Sequence, residues 1–316
     1  MSTQAQIAGE SVVLPRRRRG GGRQRRDERR LGYALVAPVI ILLLAITAYP
    51  LAYNLWNSFH SVNLSIANQP HSFVGLDNYT KMFRSSEWVS ALERTAAFTV
   101  VSVFLETIAA LGLALMLNRS FRGRGFLRAA ILVPWAVPTV VSATLWKTMF
   151  DPRAGFVDYL LGGLHLPGAH TTWLAGEWTS WVTILVADAW KNVPFIAIIL
   201  LAGLQVIPSE VYEAARMDGA SQWQSFRRMT LPLLKPALGV ALIFRTLQAF
   251  LVFDVIYIMT GGGPGVSTET LSFLNWQTFL VSTDFGYGGA ISVMLVVISL
   301  IIAGIYVRVL RPERVT

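Results

Sequence analysis

Six long apolar stretches constrain this chain more than any other feature. They run approximately Leu31–Trp56, Arg94–Leu117, Phe126–Phe150, Trp178–Leu204, Pro236–Met259 and Gly286–Val307. Each holds about 20 residues or more. That suffices for a helix to cross a hydrocarbon layer of about 30 Å with its backbone N–H and C=O groups bonded internally. The predicted class is therefore an all-α membrane protein with six transmembrane helices. A balance of 53% hydrophobic to 14% charged residues and a mean hydropathy of +0.50 agree that lipid is the main solvent. The first apolar run is too long for a cleavable signal peptide, and no small-x-small cleavage site follows Tyr49-Pro50, so it reads as a retained anchor.

The net charge of +9 is distributed by loop. Nine arginines lie between Arg16 and Arg30, in a segment with no apolar face to bury. Residues 1–30 are thus predicted to be a disordered polybasic tail beside anionic lipid, with no role in binding nucleic acid. Further basic residues follow the second span (Arg119, Arg122, Arg124, Arg128), the fourth (Arg216, Arg227, Arg228, Lys235) and the sixth (Arg308, Arg311, Arg314). The intervening loops carry only Lys81, Arg84 and Arg153. This alternation predicts six spans with both termini cytoplasmic. The organisation is a tail 1–30, a six-helix membrane domain 31–310 with an inner loop at 208–235, and a cytoplasmic tail 311–316.

Several chemistries are excluded. With no cysteine there is no disulfide, thiolate nucleophile or cysteine-ligated metal, and the four histidines make no H-x-x-x-H pattern. Gly261-Gly262-Gly263-Pro264-Gly265 resembles a phosphate loop only superficially, because the Lys-Ser/Thr that reaches the phosphates is missing. The chain therefore carries no nucleotide-binding or catalytic motif of its own.

The inner loop is the informative one. From Pro208 to Pro236 it reads PSEVYEAARMDGASQWQSFRRMTLPLLKP, amphipathic and charged between two spans. Ser209 can cap a helix with Glu210, Tyr212 and Glu213 in its first turn, and Gly219 can end it in a left-handed turn. Ser221 can start a second short helix that stops before Leu231-Pro232. Glu213-Ala214-Ala215, Gly219 four positions later, and Met229-Thr230-Leu231-Pro232 resemble the E-A-A…G…I-x-L-P loop of permease subunits in binding-protein-dependent ABC importers, with Met229 where that pattern has Ile. Tyr212 to Gly219, Leu132 to Thr139 and Thr260 to Pro264 resemble the carbohydrate-uptake branch, similar to the larger maltose-permease subunit.

The resemblance implies the type I importer permease fold and cargo such as the disaccharide trehalose. The implied partners are a second permease subunit, two copies of a cytoplasmic ATPase that hold the ATP and Mg, and an extracytoplasmic sugar-binding protein, at the bacterial inner membrane. No cofactor is expected on this chain. Glu213, Ala214, Ala215, Asp218, Gly219, Leu231 and Pro232 would form the coupling loop. In it Glu213 would pair with a basic group of the ATPase, Ala214 and Ala215 would permit close approach, and Gly219 would make the bend.

Charged residues inside spans are costly and usually face protein or a watery cavity. Glu106, Lys147, Asp188, Lys191, Arg245 and Asp254 qualify, and Asp188 and Lys191 can pair at i,i+3. A sugar path needs polar groups for hydroxyls and aromatic faces for the ring. Trp135, Thr139, Lys191, Asn192, Phe195, Arg245 and Gln248 can supply both; the bland alternative for each is helix–helix packing. Residues matching Trp135, Thr139, Asn192, Phe195 and Arg245 lie near the sugar in the maltose relative. A stand-alone ion-coupled sugar transporter is the rival reading; it requires inverted repeats and a coupling carboxylate. A polytopic enzyme requires a clustered acid, base or metal motif, and none is visible.

Overall fold

The computed structural model describes residues 22–66, 71–168 and 171–309, and of 22–29 only the backbone. The chain divides into two compact units, Met1–Tyr53 and Asn54–Thr316. The first unit consists of most of helix α1 (Gly22–Ser58). This helix begins inside the segment expected to be disordered; residues 1–21 and the expected tail 311–316 lie outside the described residues. From Leu31 to Tyr53 the α1 side chains are mostly apolar and exposed, as suits a helix surrounded by lipid.

The second unit starts with the last turn of α1 and a short antiparallel pair, β1 (His60–Ser61) and β2 (Ser72–Phe73), with His60 opposite Phe73. Helices α2 (Asp77–Arg84) and α3 (Ser86–Asn118) follow, and the Ser85 hydroxyl between them accepts from the Trp88 N–H at 3.3 Å. Next come α4 (Arg124–Ala136), α5 (Thr139–Met149), the short α6 (Phe156–Gly163) and the long α7 (Glu177–Gln205). The chain continues through α8 (Ser209–Met217), α9 (Gln222–Ser225), α10 (Leu231–Phe250), α11 (Asp254–Met259), α12 (Leu271–Trp276) and α13 (Phe285–Val309).

Among the described residues five helices are long and apolar enough to cross a membrane, and a sixth crossing is available if α4 and α5 count as one bent span. The third expected stretch is thus not one straight helix: α4 and α5 meet at 91°. Pro138 is the cause. It excludes helical geometry at the residue before it, and Val137 is extended at φ −69°, ψ 132°. The fifth expected stretch also differs. It ends at Phe250, and Asp254–Met259 forms the separate α11. At its other end Leu231-Pro232 does not stop the second loop helix. A π-turn at Phe226–Thr230, closed by Leu231 N–H to the Phe226 carbonyl, absorbs the missing proline N–H, and α9 runs on into α10.

α3, α7 and α10 pack against one another as the centre of the second unit. Their shared core alternates small and large side chains, Ala110, Ala114, Ala197 and Ala241 against Ile196, Leu200, Leu204 and Leu234. Small residues let the backbones approach, which drives helix association in lipid. A second core joins α3, α5, α7 and α11 around Phe98, Phe150, Ile184 and Ile256. A third holds α2, α12 and α13 to α3 around Met82, Trp88, Leu271 and Ile291.

Candidate functional site

Two places carry chemistry: the loop built from α8 and α9, and the bend between α4 and α5 where it meets α7 and α10.

In the loop, α8 is preceded by Pro208 in extended geometry, and the expected Ser209 side-chain cap is not made; the cap position is Pro208 itself. Proline fixes its own φ without needing a side-chain acceptor. The other end follows the sequence. Gly219 adopts φ +76°, and the N–H of Ala220 returns to the Ala215 carbonyl at 2.9 Å. Ser221 then opens α9 with a capping box, accepting from Gln224 N–H at 3.2 Å while Gln224 Oε1 accepts from Ser221 N–H at 2.8 Å.

Glu213, Ala214, Asp218, Gly219 and Pro232 are exposed on this loop, and Leu231 is half-buried. Ala215 is 0% exposed, so it packs inward and only Ala214 offers a small surface outward. The Thr230 hydroxyl donates to Tyr212 Oη at 3.2 Å, tying α8 to the π-turn. Behind the loop is an open cavity of about 720 Å³ lined by Arg119, Tyr212, Arg216 and Trp223 among others.

At the bend, Trp135 stacks on Phe195 with centroids 4.7 Å apart and planes 9° from parallel. Phe244, which sequence reasoning missed, extends the stack at 5.1 Å from Phe195. It lies one helical turn before Gln248, and that i,i+4 spacing is the signal that could have found it. The Lys191 ammonium donates to the carbonyls of Trp135 and Val137, which the break leaves without helical partners. Thr139 opens α5 directly after the break, and Gln248 is exposed on α10.

Two expectations are corrected here. Asp188 does not pair with Lys191, whose ammonium is engaged at the α4 end. Arg245 is not on an open face. It is 2% exposed, with Glu106 at 1% and Asp188 at 9%. Its Nε and Nη2 engage both oxygens of Glu106, the Nη2–Oε1 contact at 2.9 Å, and Nη2 also donates to Asp188 Oδ2. A buried guanidinium needs such carboxylate partners, and its planar fork matches them. Asn192 in turn donates to the Asp188 carbonyl at 3.0 Å and to Asp188 Oδ1 at 2.8 Å. The structure thus brings Trp135, Lys191, Asn192 and Phe195 together at the bend and sets Arg245 behind them.

Away from the bend, Lys147 donates to the Ile258 carbonyl at 2.9 Å and Asp254 is exposed at the start of α11. In the loop before α12, Glu269 is buried and its backbone carbonyl accepts from Arg94 at 3.3 Å. Burial pushes its carboxyl pKa up, the neighbouring Glu87 adds to this, and Arg94 opposes it.

Two loop helices joined by a left-handed glycine, set between membrane-length helices and carrying the E-A-A…G pattern, decide the family. Residues 106–314 match the profile of the binding-protein-dependent transport system inner membrane component. The chain belongs to this family. It is a membrane-embedded permease component, and the family is not one of catalytic enzymes.

The chain is 42% identical over 287 residues to the trehalose/maltose transport system permease protein MalF of Thermococcus litoralis, covering 91% of this chain and 96% of that one. It is 39% identical over 281 residues to the trehalose transport system permease protein SugA of Mycobacterium tuberculosis, covering 89% of each. The sulfoquinovosyl glycerol transport system permease protein SmoG of Agrobacterium fabrum is 38% identical over 286 residues, covering 90% of this chain and 92% of that one. Among solved structures, a chain of a bacterial ABC transporter involved in the import of alginate superposes with a TM-score of 0.78 at 24% identity. The match covers 93% of this permease and 99% of that chain, and it shows the fold.

Proposed function

We propose that this permease is one of two subunits enclosing the path of an ATP-driven sugar importer in the bacterial cytoplasmic membrane, with both termini in the cytoplasm and a disaccharide such as trehalose as cargo. The observation that carries the coupling role is the continuity of α9, the π-turn and α10. The second loop helix is one piece with a membrane-length helix, Gln222–Phe250, and α8, which carries Glu213, is joined to it through the Gly219 turn and the Thr230–Tyr212 hydrogen bond. A cytoplasmic ATPase gripping that loop moves the span directly. ATP hydrolysis belongs to the two ATPase copies, and an extracytoplasmic binding protein delivers the sugar. Alternating access follows as a rocking of packed helices. The Trp135–Phe195 stack offers the apolar face and Lys191 and Asn192 the polar groups that a sugar needs.

No observation favours the ion-coupled rival. Of the three carboxylates that could have served as its coupling group, Glu106 and Asp188 are both bound to Arg245, and Asp254 is exposed at the start of α11.

The test is a mild-detergent pull-down from native membranes, with an ATPase assay on the recovered assembly. An ATPase and a second permease should co-purify, and hydrolysis should rise with trehalose and the binding protein. Glu213→Lys and Gly219→Val should lose coupled hydrolysis, whereas Gly219→Asn should retain most of it, because asparagine tolerates positive φ. Uptake and assembly unaffected by Glu213→Lys and Gly219→Val would remove the coupling role. A chain that purified alone and carried sugar in proteoliposomes without ATP would overturn the importer reading.

A further inference from the structure

Asp188, Asn192 and Phe195 form one stripe on α7 at i, i+4 and i+7, running from the buried ion cluster to the aromatic stack. The asparagine amide at the middle of that stripe has two N–H donors and one carbonyl acceptor. Both donors are used by Asp188, one on its backbone carbonyl and one on Oδ1. Turning the amide over would set its oxygen against two acceptors. The other oxygen of Asp188 is held by Arg245, which is itself gripped by both oxygens of Glu106. A single chain of bonds thus runs Glu106, Arg245, Asp188, Asn192 across α3, α10 and α7. Its first three members are buried, and its last, half-buried, ends in an Oδ1 with no hydrogen bond among the described residues.

We propose that Glu106, Arg245 and Asp188 are positioning residues that lock the Asn192 amide with its carbonyl outward, so that this point on the path accepts a hydrogen bond and selects a ligand group that can donate one. This rests on the reading that the Asn192 surface lines the sugar path. A sugar hydroxyl satisfies the requirement; fluorine in the same place, which cannot donate, does not.

The test uses the whole importer in proteoliposomes, with trehalose and its singly deoxyfluorinated analogues as cargo. Each analogue is scored as a variant-to-wild-type ratio with the same binding protein, so that selection by that protein cancels. In the wild type, with the binding protein saturated by each analogue, fluorination at one position should cut ATP-dependent uptake about tenfold relative to the other positions. In Asp188→Ala the amide keeps only the backbone carbonyl of residue 188 as an acceptor, its outward lock is weakened, and the discrimination should shrink to about threefold or less. If that variant does not assemble, Glu106→Gln carries the test. It should relax the same discrimination in the wild-type background and leave it unchanged in an Asn192→Ala background. A uniform loss across all analogues, or discrimination unchanged in both variants, would make the cluster a packing device only and overturn the proposal. Absence of ATP-dependent trehalose uptake by the wild-type importer would instead overturn the sugar-path reading beneath it.

Discussion

Glu269 is 2% exposed, with Oε1 unpaired and Arg94 spent on its backbone carbonyl instead of its carboxylate. Its folded pKa lies above the ordinary glutamate value of about 4.3. The folded state therefore holds that proton more tightly than the unfolded chain. The stability it contributes is complete below the ordinary value and is lost as pH rises through the raised one. Melting of the purified assembly should show a stability loss over that interval, and Glu269→Gln should flatten it; an unchanged slope would place the titrating group elsewhere. Nothing in the sequence around Glu269 distinguishes it from a surface carboxylate, since its burial comes from the approach of α3. Arg245 teaches the same lesson from the other side. A charged residue in an apolar stretch is visible in the sequence, but whether it faces a ligand or two carboxylates depends on positions 57 and 139 residues away.

At the scale of elements, the crossing of α7 and α10 depends on Gly203. A Cβ there would lie 2.4 Å from the Ala237 Cβ and 2.9 Å from Leu234 Cδ1. Real atoms do not approach so closely, and Ala237 has no rotamer by which to withdraw. Gly203→Ala should force the helices apart and cost about 1–3 kcal/mol, read as a lower melting temperature of the detergent-solubilised complex. A melting temperature equal to that of the wild type would mean that the crossing is looser than this packing. The loop elements were partly legible beforehand. Gly219 and Ser221 behave as their chemistry dictates, because left-handed turns and capping boxes are local. The Ser209 cap, the stop at Leu231-Pro232 and the straight third span were not. In each a proline decides the backbone, and whether it ends, bends or merely perturbs a helix depends on what packs around it. The side-chain roles of Ala214 and Ala215 differ for a related reason: adjacent helical residues point about 100° apart, so one faces outward while the other packs inward.

At the scale of the whole molecule, the orientation proposed from the arginine and lysine distribution is open to a direct test. The chain has no cysteine, so a single introduced thiol is an unambiguous probe. Tyr159 on α6 is 81% exposed and Met217 on α8 is 89% exposed. In intact spheroplasts Tyr159→Cys should react with a membrane-impermeant maleimide, and Met217→Cys should react only after lysis. The reverse pattern would invert the proposed topology. The sequence by itself determined that this chain is helical, lives in lipid and carries a two-helix loop of the importer-permease kind. Those properties follow from hydropathy and from turn chemistry, which act over a few residues. Only the tertiary structure decided where the spans break, which charges are consumed within the bundle and which polar groups remain free at the bend. Each of these depends on partners distant in sequence, and the cost of leaving a buried charge or amide unpaired fixes the outcome only once the helices have met.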